Sequence, residues 1–253
     1  MNRLLAAYRG LHEQGFVPIF ARDEFNSKTL VEACVAAGAR GIEYTLRRSD
    51  AREMIPWIRR HHPDLFLLVG STLDSERIVR KLKRRHPQLM TVQEAADLGV
   101  DGFVSMLGWS SGSSARYAGT HIVIPTAMTV TEALQQVDAG AHFVKCFGSD
   151  LAFIERLRLA PTFDFCPVFA TGGMTPERIP AAVRAGAVVV ASGFDLILDG
   201  CPTDVNVKDV AAALSVYLDV THSIREAVWP EMMACVGADT KTWLDALPHY
   251  HPF

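Results

Sequence analysis

Four stretches of this sequence carry one pattern: AAGARGIEYT (36–45), DLGVDGFVSM (97–106), DAGAHFVKCF (138–147) and RAGAVVVASG (184–193). In each, the end of a helical pattern meets a glycine, and a short apolar run follows. Glycine just past a helix adopts the left-handed conformation that closes it. The apolar runs of these four, 41–45, 101–106, 141–147 and 187–192, are joined by 16–21 (FVPIFA), 65–70 (LFLLVG), 121–125 (HIVIP) and 166–171 (CPVFAT). Helical patterns lie between most of them, over 29–37, 50–60, 75–85, 131–139 and 176–185. Short, wholly apolar runs suit parallel strands that are covered on both faces. Eight such strands alternating with helices predict one closed (β/α)8 TIM barrel, and 253 residues is a usual size for it. The segment MNRLLAAYRGLHEQ reads as an amphipathic N-terminal helix. We expect the barrel to span residues 1–205. The last barrel helix and a helical extension, packed on the barrel or on a neighbouring subunit, would occupy 206–253.

The glycines Gly38, Gly99, Gly140 and Gly186 lead into the second, fourth, sixth and eighth strands, so they serve as a ruler. Five residues beyond each come Glu43, Val104, Lys145 and Ala191. In this fold, alternate strands contribute the four side chains of one interior layer. Glu43 and Lys145 are therefore expected to share a layer, completed by two small apolar residues. A lysine in apolar surroundings is desolvated, which lowers its pKa. Its neutral amine can attack a carbonyl and form an iminium, an electron sink. A neighbouring carboxylate can then move protons. The rival reading is a buried Lys145–Glu43 ion pair with a structural role, although such pairs contribute little net stability.

The strand ends supply further candidates. Thr45 and Arg47 follow Glu43, and arginine can hold a carboxylate in a bidentate pair. Taken alone, Arg47 reads better as a surface arginine at the start of a loop. Arg22 follows the first strand and Ser71 follows Gly70 after the third. Thr171-Gly172-Gly173 ends the seventh and Ser192-Gly193 the eighth. The loops after these two strands are where the fold usually binds phosphate, although paired glycines also serve tight turns.

Composition narrows the function classes. The net charge of −3 shows no basic surplus of the kind nucleic-acid binders need. The basic run at 81–85 reads as a solvated helix face. No apolar run approaches the ~20 residues that span a membrane, and no signal peptide is visible. The five cysteines are scattered, which suits reduced thiols in the cytoplasm. The nine histidines lack metal-ligand spacing, so no metal site is expected.

Together, Glu43-x-Thr45-Leu46-Arg47, Val144-Lys145-Cys146-Phe147 and Thr171-Gly172-Gly173 resemble the 2-keto-3-deoxy-6-phosphogluconate / 4-hydroxy-2-oxoglutarate aldolase family. The likeness runs over roughly residues 15 to 198. It implies a class I pyruvate-forming aldolase with Lys145 as the Schiff-base lysine and Glu43 as general acid/base. It further implies Arg47, Ser71 and Thr45 at the substrate carboxylate, with Thr171, Phe147 and Arg22 lining the pocket. Gly172, Gly173, Ser192 and Gly193 would meet a distal phosphate. No cofactor is implied, the partner is a small keto acid, and the expected assembly is a homotrimer. Three departures from the family pattern stand out. The strand-eight turn reads Ala191-Ser192-Gly193, moving the hydroxyl by one position. Met106 replaces a proline, and 83–93 reads as an insertion. The resemblance makes 2-keto-3-deoxy-6-phosphogluconate, cleaved to pyruvate and glyceraldehyde 3-phosphate, the first-choice substrate; unphosphorylated keto acids are the alternative substrates, and a non-catalytic sugar-acid-binding barrel or a sugar-phosphate isomerase are the rival functions. The polar stretch 108–119 is expected to be a mobile loop over the pocket.

Overall fold

The computed structural model describes residues 2–148, 150–159 and 164–253. Its eight strands are β1 (Phe16–Phe20), β2 (Gly41–Thr45), β3 (Phe66–Gly70), β4 (Gly102–Val104), β5 (Ile122–Ile124), β6 (Val144–Phe147), β7 (Val168–Thr171) and β8 (Ala187–Gly193). Each falls on one of the eight apolar runs. The helices in the first half are α1 (Arg3–Gln14), α2 (Ser27–Ala36), α3 (Ala51–His61), α4 (Glu76–Leu82), α5 (Val92–Asp97) and α6 (Ser111–Ala118). The second half adds α7 (Val130–Asp138), α8 (Leu151–Leu159), α9 (Ile179–Ala185), α10 (Phe194–Ile197), α11 (Val207–Val228), α12 (Pro230–Ala234) and α13 (Thr240–Asp245).

All paired strands run parallel, in the order β5-β4-β3-β2-β1-β8-β7-β6. The ring closes between β5 and β6 by main-chain bonds that each join a residue of one short strand to a residue just outside the other. The Lys145 amide donates to the Pro125 carbonyl at 2.8 Å, and that of His142 donates to Val123 at 2.9 Å. The protein is a (β/α)8 barrel with an N-terminal helix and C-terminal helices. The four ruler glycines have φ of 78°, 80°, 97° and 123°, each a left-handed turn between helix and strand.

The barrel interior is one apolar cluster that includes Leu68, Val104, Ile124, Phe143, Phe169 and Ala191. α1 continues this cluster at the N-terminal end of the strands, where Tyr8 and Leu11 are fully buried. The chain's tail returns to the same place. Trp243 of α13 is buried against Tyr8 and His12, with ring centroids 6.0 and 5.7 Å away. The barrel is thus stoppered below and open at the C-terminal ends of its strands.

The stretch 108–119 departs from its sequence reading, for most of it forms α6. The Ser110 hydroxyl caps this helix by accepting from the Ser113 amide, and Ser114 and Tyr117 are buried on its inner face. Residues 83–93 form turns that lead to a capping box, in which Thr91 and Glu94 bond reciprocally at the start of α5.

Candidate active site

A cavity of about 500 Å³ opens at the C-terminal ends of the strands. Parallel barrels build their sites there because every βα loop converges on that face. Arg22, Glu43, Thr45, Arg47, Ser71, Lys145, Phe147, Thr171, Gly172, Gly173, Ser192 and Gly193 all line it. Sequence reasoning therefore brought together residues from six different strand ends. It missed Asp195, in the first turn of α10, which lines the same cavity.

Lys145 comes from the middle of β6 and is 5% exposed, while Glu43 comes from β2 and is 2% exposed. Each feels the other's charge, yet they make no contact ion pair within 4.0 Å. Burial lowers the Lys145 pKa, the Glu43 carboxylate opposes that fall, and the Arg47 guanidinium adds to it. Burial likewise raises the Glu43 pKa, against the pull of Lys145 and Arg47. Glu43 Oε2 is buried with no hydrogen-bond partner. A buried carboxylate oxygen without a donor is costly, so such a group belongs with a ligand or a reaction. The pair has a nucleophile made less basic by its surroundings and a carboxyl made more so. That is the combination iminium chemistry with proton transfer needs.

The surrounding loops are fixed by main-chain contacts. Thr45 Oγ1 donates to the Phe20 carbonyl at 2.8 Å, which ties the ends of β1 and β2. Ser71 has φ of 60°, left-handed for a residue with a side chain, which costs about 1–2 kcal/mol. The next residue holds the turn: the Thr72 amide and hydroxyl both donate to the Val104 carbonyl, and Ser105 donates back to the Thr72 carbonyl. Arg47 projects at the rim, its Nε 3.3 Å from the Ala21 carbonyl.

Its neighbour Arg48 escaped sequence reading. It is buried and donates to the Tyr44 hydroxyl, to Asp50, to Ser27 and to the carbonyls of Arg22 and Phe25. Burial alone would raise Asp50, but the hydrogen bonds from Arg48, Ser27 and Tyr44 hold its carboxyl below the ordinary range. Arg48 therefore locks the loop after β1 to the loop after β2. Among the described residues, no group of three or more His, Cys, Asp or Glu side chains is arranged to hold a metal. No helix among them is long and apolar enough to cross a membrane.

The family model for the KDPG and KHG aldolases matches residues 10–212. The chain belongs to that family. As a KDPG/KHG-type aldolase it is a lyase. It is 27% identical over 195 residues to the 2-dehydro-3-deoxy-6-phosphogalactonate aldolase of Escherichia coli (strain K12), covering 76% of this chain and 88% of that one. Its fold is shared with the 2-keto-3-deoxy-6-phosphogluconate aldolase of Zymomonas mobilis ZM4, solved with 3-phosphoglycerate (TM-score 0.62, 21% identity, 84% of this chain and 93% of that). It is shared too with a KDPG aldolase from Legionella pneumophila, in which pyruvate was captured at low pH as a covalent carbinolamine (TM-score 0.57, 15% identity, 85% and 97%).

Proposed function

We propose that this aldolase reversibly cleaves a 2-keto-4-hydroxy acid to pyruvate and an aldehyde through a Schiff base on Lys145. The observation that carries the reading is the Lys145–Glu43 arrangement: two buried, oppositely shifted groups on one cavity, held apart rather than paired. Neutral Lys145 adds to the C2 carbonyl, and loss of water leaves the iminium. Glu43, directly or through water, takes the proton from the C4 hydroxyl. The C3–C4 bond then breaks, and its electrons move into the iminium, giving an aldehyde and a pyruvate enamine. Protonation at C3 and hydrolysis of the iminium release pyruvate and restore the amine.

Arg47 and Ser71 hold the carboxylate in this scheme, and Thr45, whose hydroxyl is spent on the Phe20 carbonyl, fixes the wall beside it. Thr171, Phe147 and Arg22 line the path of the carbon chain, whose far end lies toward Gly172, Gly173, Ser192 and Gly193. A six-carbon 2-keto-3-deoxy acid of the kind cleaved by the family suits a cavity of about 500 Å³. The covalent pyruvate adduct of the Legionella relative supports the first step, and the named activity of the Escherichia coli relative supports the substrate class. The same reading takes the protein to be a cytoplasmic homotrimer.

Incubation with pyruvate and borohydride, followed by peptide mapping, tests the reading. The expected result is one reduced adduct, on Lys145. No adduct, or an adduct elsewhere, would overturn it. Sedimentation of the purified protein reads the assembly state.

A further inference from the structure

Resting on that aldolase reading, we infer that Asp195 makes the far end of the pocket select an uncharged, hydroxylated aldehyde half and reject a phosphorylated or carboxylated one. The Asp195 carboxylate folds back over Gly193: a Cβ added at Gly193 would overlap its Oδ1 and lie 3.3 Å from its Cγ. The bare side of Gly193 is therefore covered by a carboxylate of the same chain. A carboxylate only accepts hydrogen bonds. A sugar hydroxyl can donate to it, whereas a fully ionised phosphate has no proton to give and meets a like charge.

The cations nearby do not reverse this. Arg22 Nη2 lies 3.5 Å from Asp195 Oδ2, and its Nη1 lies 3.9 Å from Glu24, so two carboxylates already share it. The Ser192 hydroxyl, a donor a distal anion would want, is buried and donates to the Met174 carbonyl. Arg178, the cation next to the glycine turn, donates to the Gly173 carbonyl at 3.2 Å and does not line the cavity.

The ionisable groups lining the cavity are Arg22, Arg47, Lys145, Glu43 and Asp195. Three cations against two anions leave one net positive charge among the described residues, whether the lysine and glutamate are both ionised or both neutral. That matches a substrate with one negative charge, its C1 carboxylate. A second anionic group at the far end would find no further cationic side chain in the lining and would face Asp195. Met106, Phe147 and Leu196 complete the lining with apolar surface that suits a carbon chain.

The experiment compares kcat/KM for an unphosphorylated 2-keto-3-deoxy six-carbon acid and its 6-phosphate, using the full chain and its Asp195→Asn variant. The expected wild-type preference is at least tenfold for the unphosphorylated acid. In Asp195→Asn, turnover of the phosphorylated acid rises and that of the unphosphorylated acid falls, so the ratio moves at least tenfold toward phosphate. Borohydride trapping of pyruvate on wild-type Lys145 separates the two levels of the claim. If Lys145 is labelled but the phosphorylated acid is cleaved as well or better, if neither acid is cleaved, or if Asp195→Asn leaves the ratio unchanged, this inference falls and the lysine chemistry stands. If Lys145 is not labelled, both fall.

Discussion

The carboxylate of Glu43 lies directly over the bare Cα of Gly70. A Cβ added at Gly70 would overlap Glu43 Oε1 and sit 2.9 Å from its Cδ. The two residues are on neighbouring strands, with Gly70 paired to Thr45 and Glu43 paired to Leu68. Gly70 has no positive φ, so alanine fits its backbone and would act only by crowding. We expect Gly70→Ala to displace the carboxylate and lower kcat about 10²-fold, since small misplacements of a reacting group cost that much. Pyruvate trapping on Lys145 should persist, because adduct formation begins at the amine. Loss of trapping would place the damage at the lysine instead. Overpacking would also cost about 1–3 kcal/mol of stability, read by urea unfolding.

Glu43 has a second, measurable effect on Lys145. Its charge raises the lysine pKa, against the larger lowering by burial. Glu43→Gln removes that opposition, so the amine should become neutral at lower pH. The acidic limb of the pyruvate-trapping rate should therefore move to lower pH. Cleavage should meanwhile fall about 10²–10⁴-fold, the usual worth of a positioned acid/base. An unmoved limb would show that the two groups do not sense each other.

Lys145→Met distinguishes chemistry from structure. A structural ion pair would leave Glu43 as a lone buried charge and cost about 3–5 kcal/mol when broken. Glu43 already has a raised pKa and makes no contact pair with Lys145, so it can stay neutral when the lysine is gone. The variant should lose all aldol cleavage and melt within a few degrees of the wild type. A large drop in Tm would favour the structural role.

The barrel and its reacting pair were legible in the sequence for one physical reason. Parallel strands buried on both faces must be apolar throughout, so an ionisable residue inside one stands out, and a fixed helix-to-strand turn sets its direction. Lys145 and Glu43 met both conditions. Arg47 and Arg48 met neither: they are neighbours just past a strand, where alternation no longer dictates facing, and only tertiary contacts send one to the rim and bury the other. Asp195 carries no such signal, since only the fold brings Arg22, 173 positions earlier, within 3.5 Å of it. The stretch 108–119 misled because glycine and serine signal loops by composition. A capped helix of eight residues with a buried Tyr117 needs no other apolar signal once β4 and β5 hold its ends.

Arg48 yields a stability prediction. Its side chain is 2% exposed and supplies hydrogen bonds to Asp50, Tyr44 and Ser27 and to the loop after β1. Arg48→Met keeps much of the packing and removes the donors. The expected cost is about 2–3 kcal/mol, discounted because Asp50 is partly exposed and can recover water. The Asp50 carboxyl should titrate higher in the variant, closer to an ordinary aspartate, because the bond from Arg48 leads the interactions that hold it down. NMR titration of the carboxyl carbons reads this directly, and an unchanged Asp50 would refute it.

The tail of the chain is held to α1 by a buried histidine pair, which adds to the acid sensitivity of the fold. His12 Nε2 faces His249 Nε2 at 2.9 Å, and His12 Nδ1 lies 3.0 Å from the Tyr8 carbonyl. Burial pushes both imidazoles down, His249 to about 4; the neighbouring His251 and Arg225 push both further and His249 adds to the fall of His12, while the Tyr8 and Tyr250 carbonyls oppose it. His142, whose Nδ1 accepts from the Val123 amide at 3.2 Å, is also pushed down to about 4 by burial. In the unfolded chain these rings titrate near 6.5. Between that value and about 4 the unfolded state therefore binds more protons, so unfolding gains as pH falls. The stabilisation is fully present above pH 6.5 and is lost on the way down to about pH 4, at about 3 kcal/mol for His249 alone. His249→Phe keeps an aromatic ring against His12 and removes one titrating group. Urea unfolding at pH 7.5 and at pH 4.5 should show the wild type losing more stability than the variant, by about 2–3 kcal/mol. Parallel losses in the two proteins would mean that His249 is solvated in the native state and that the tail is not docked on α1 as described.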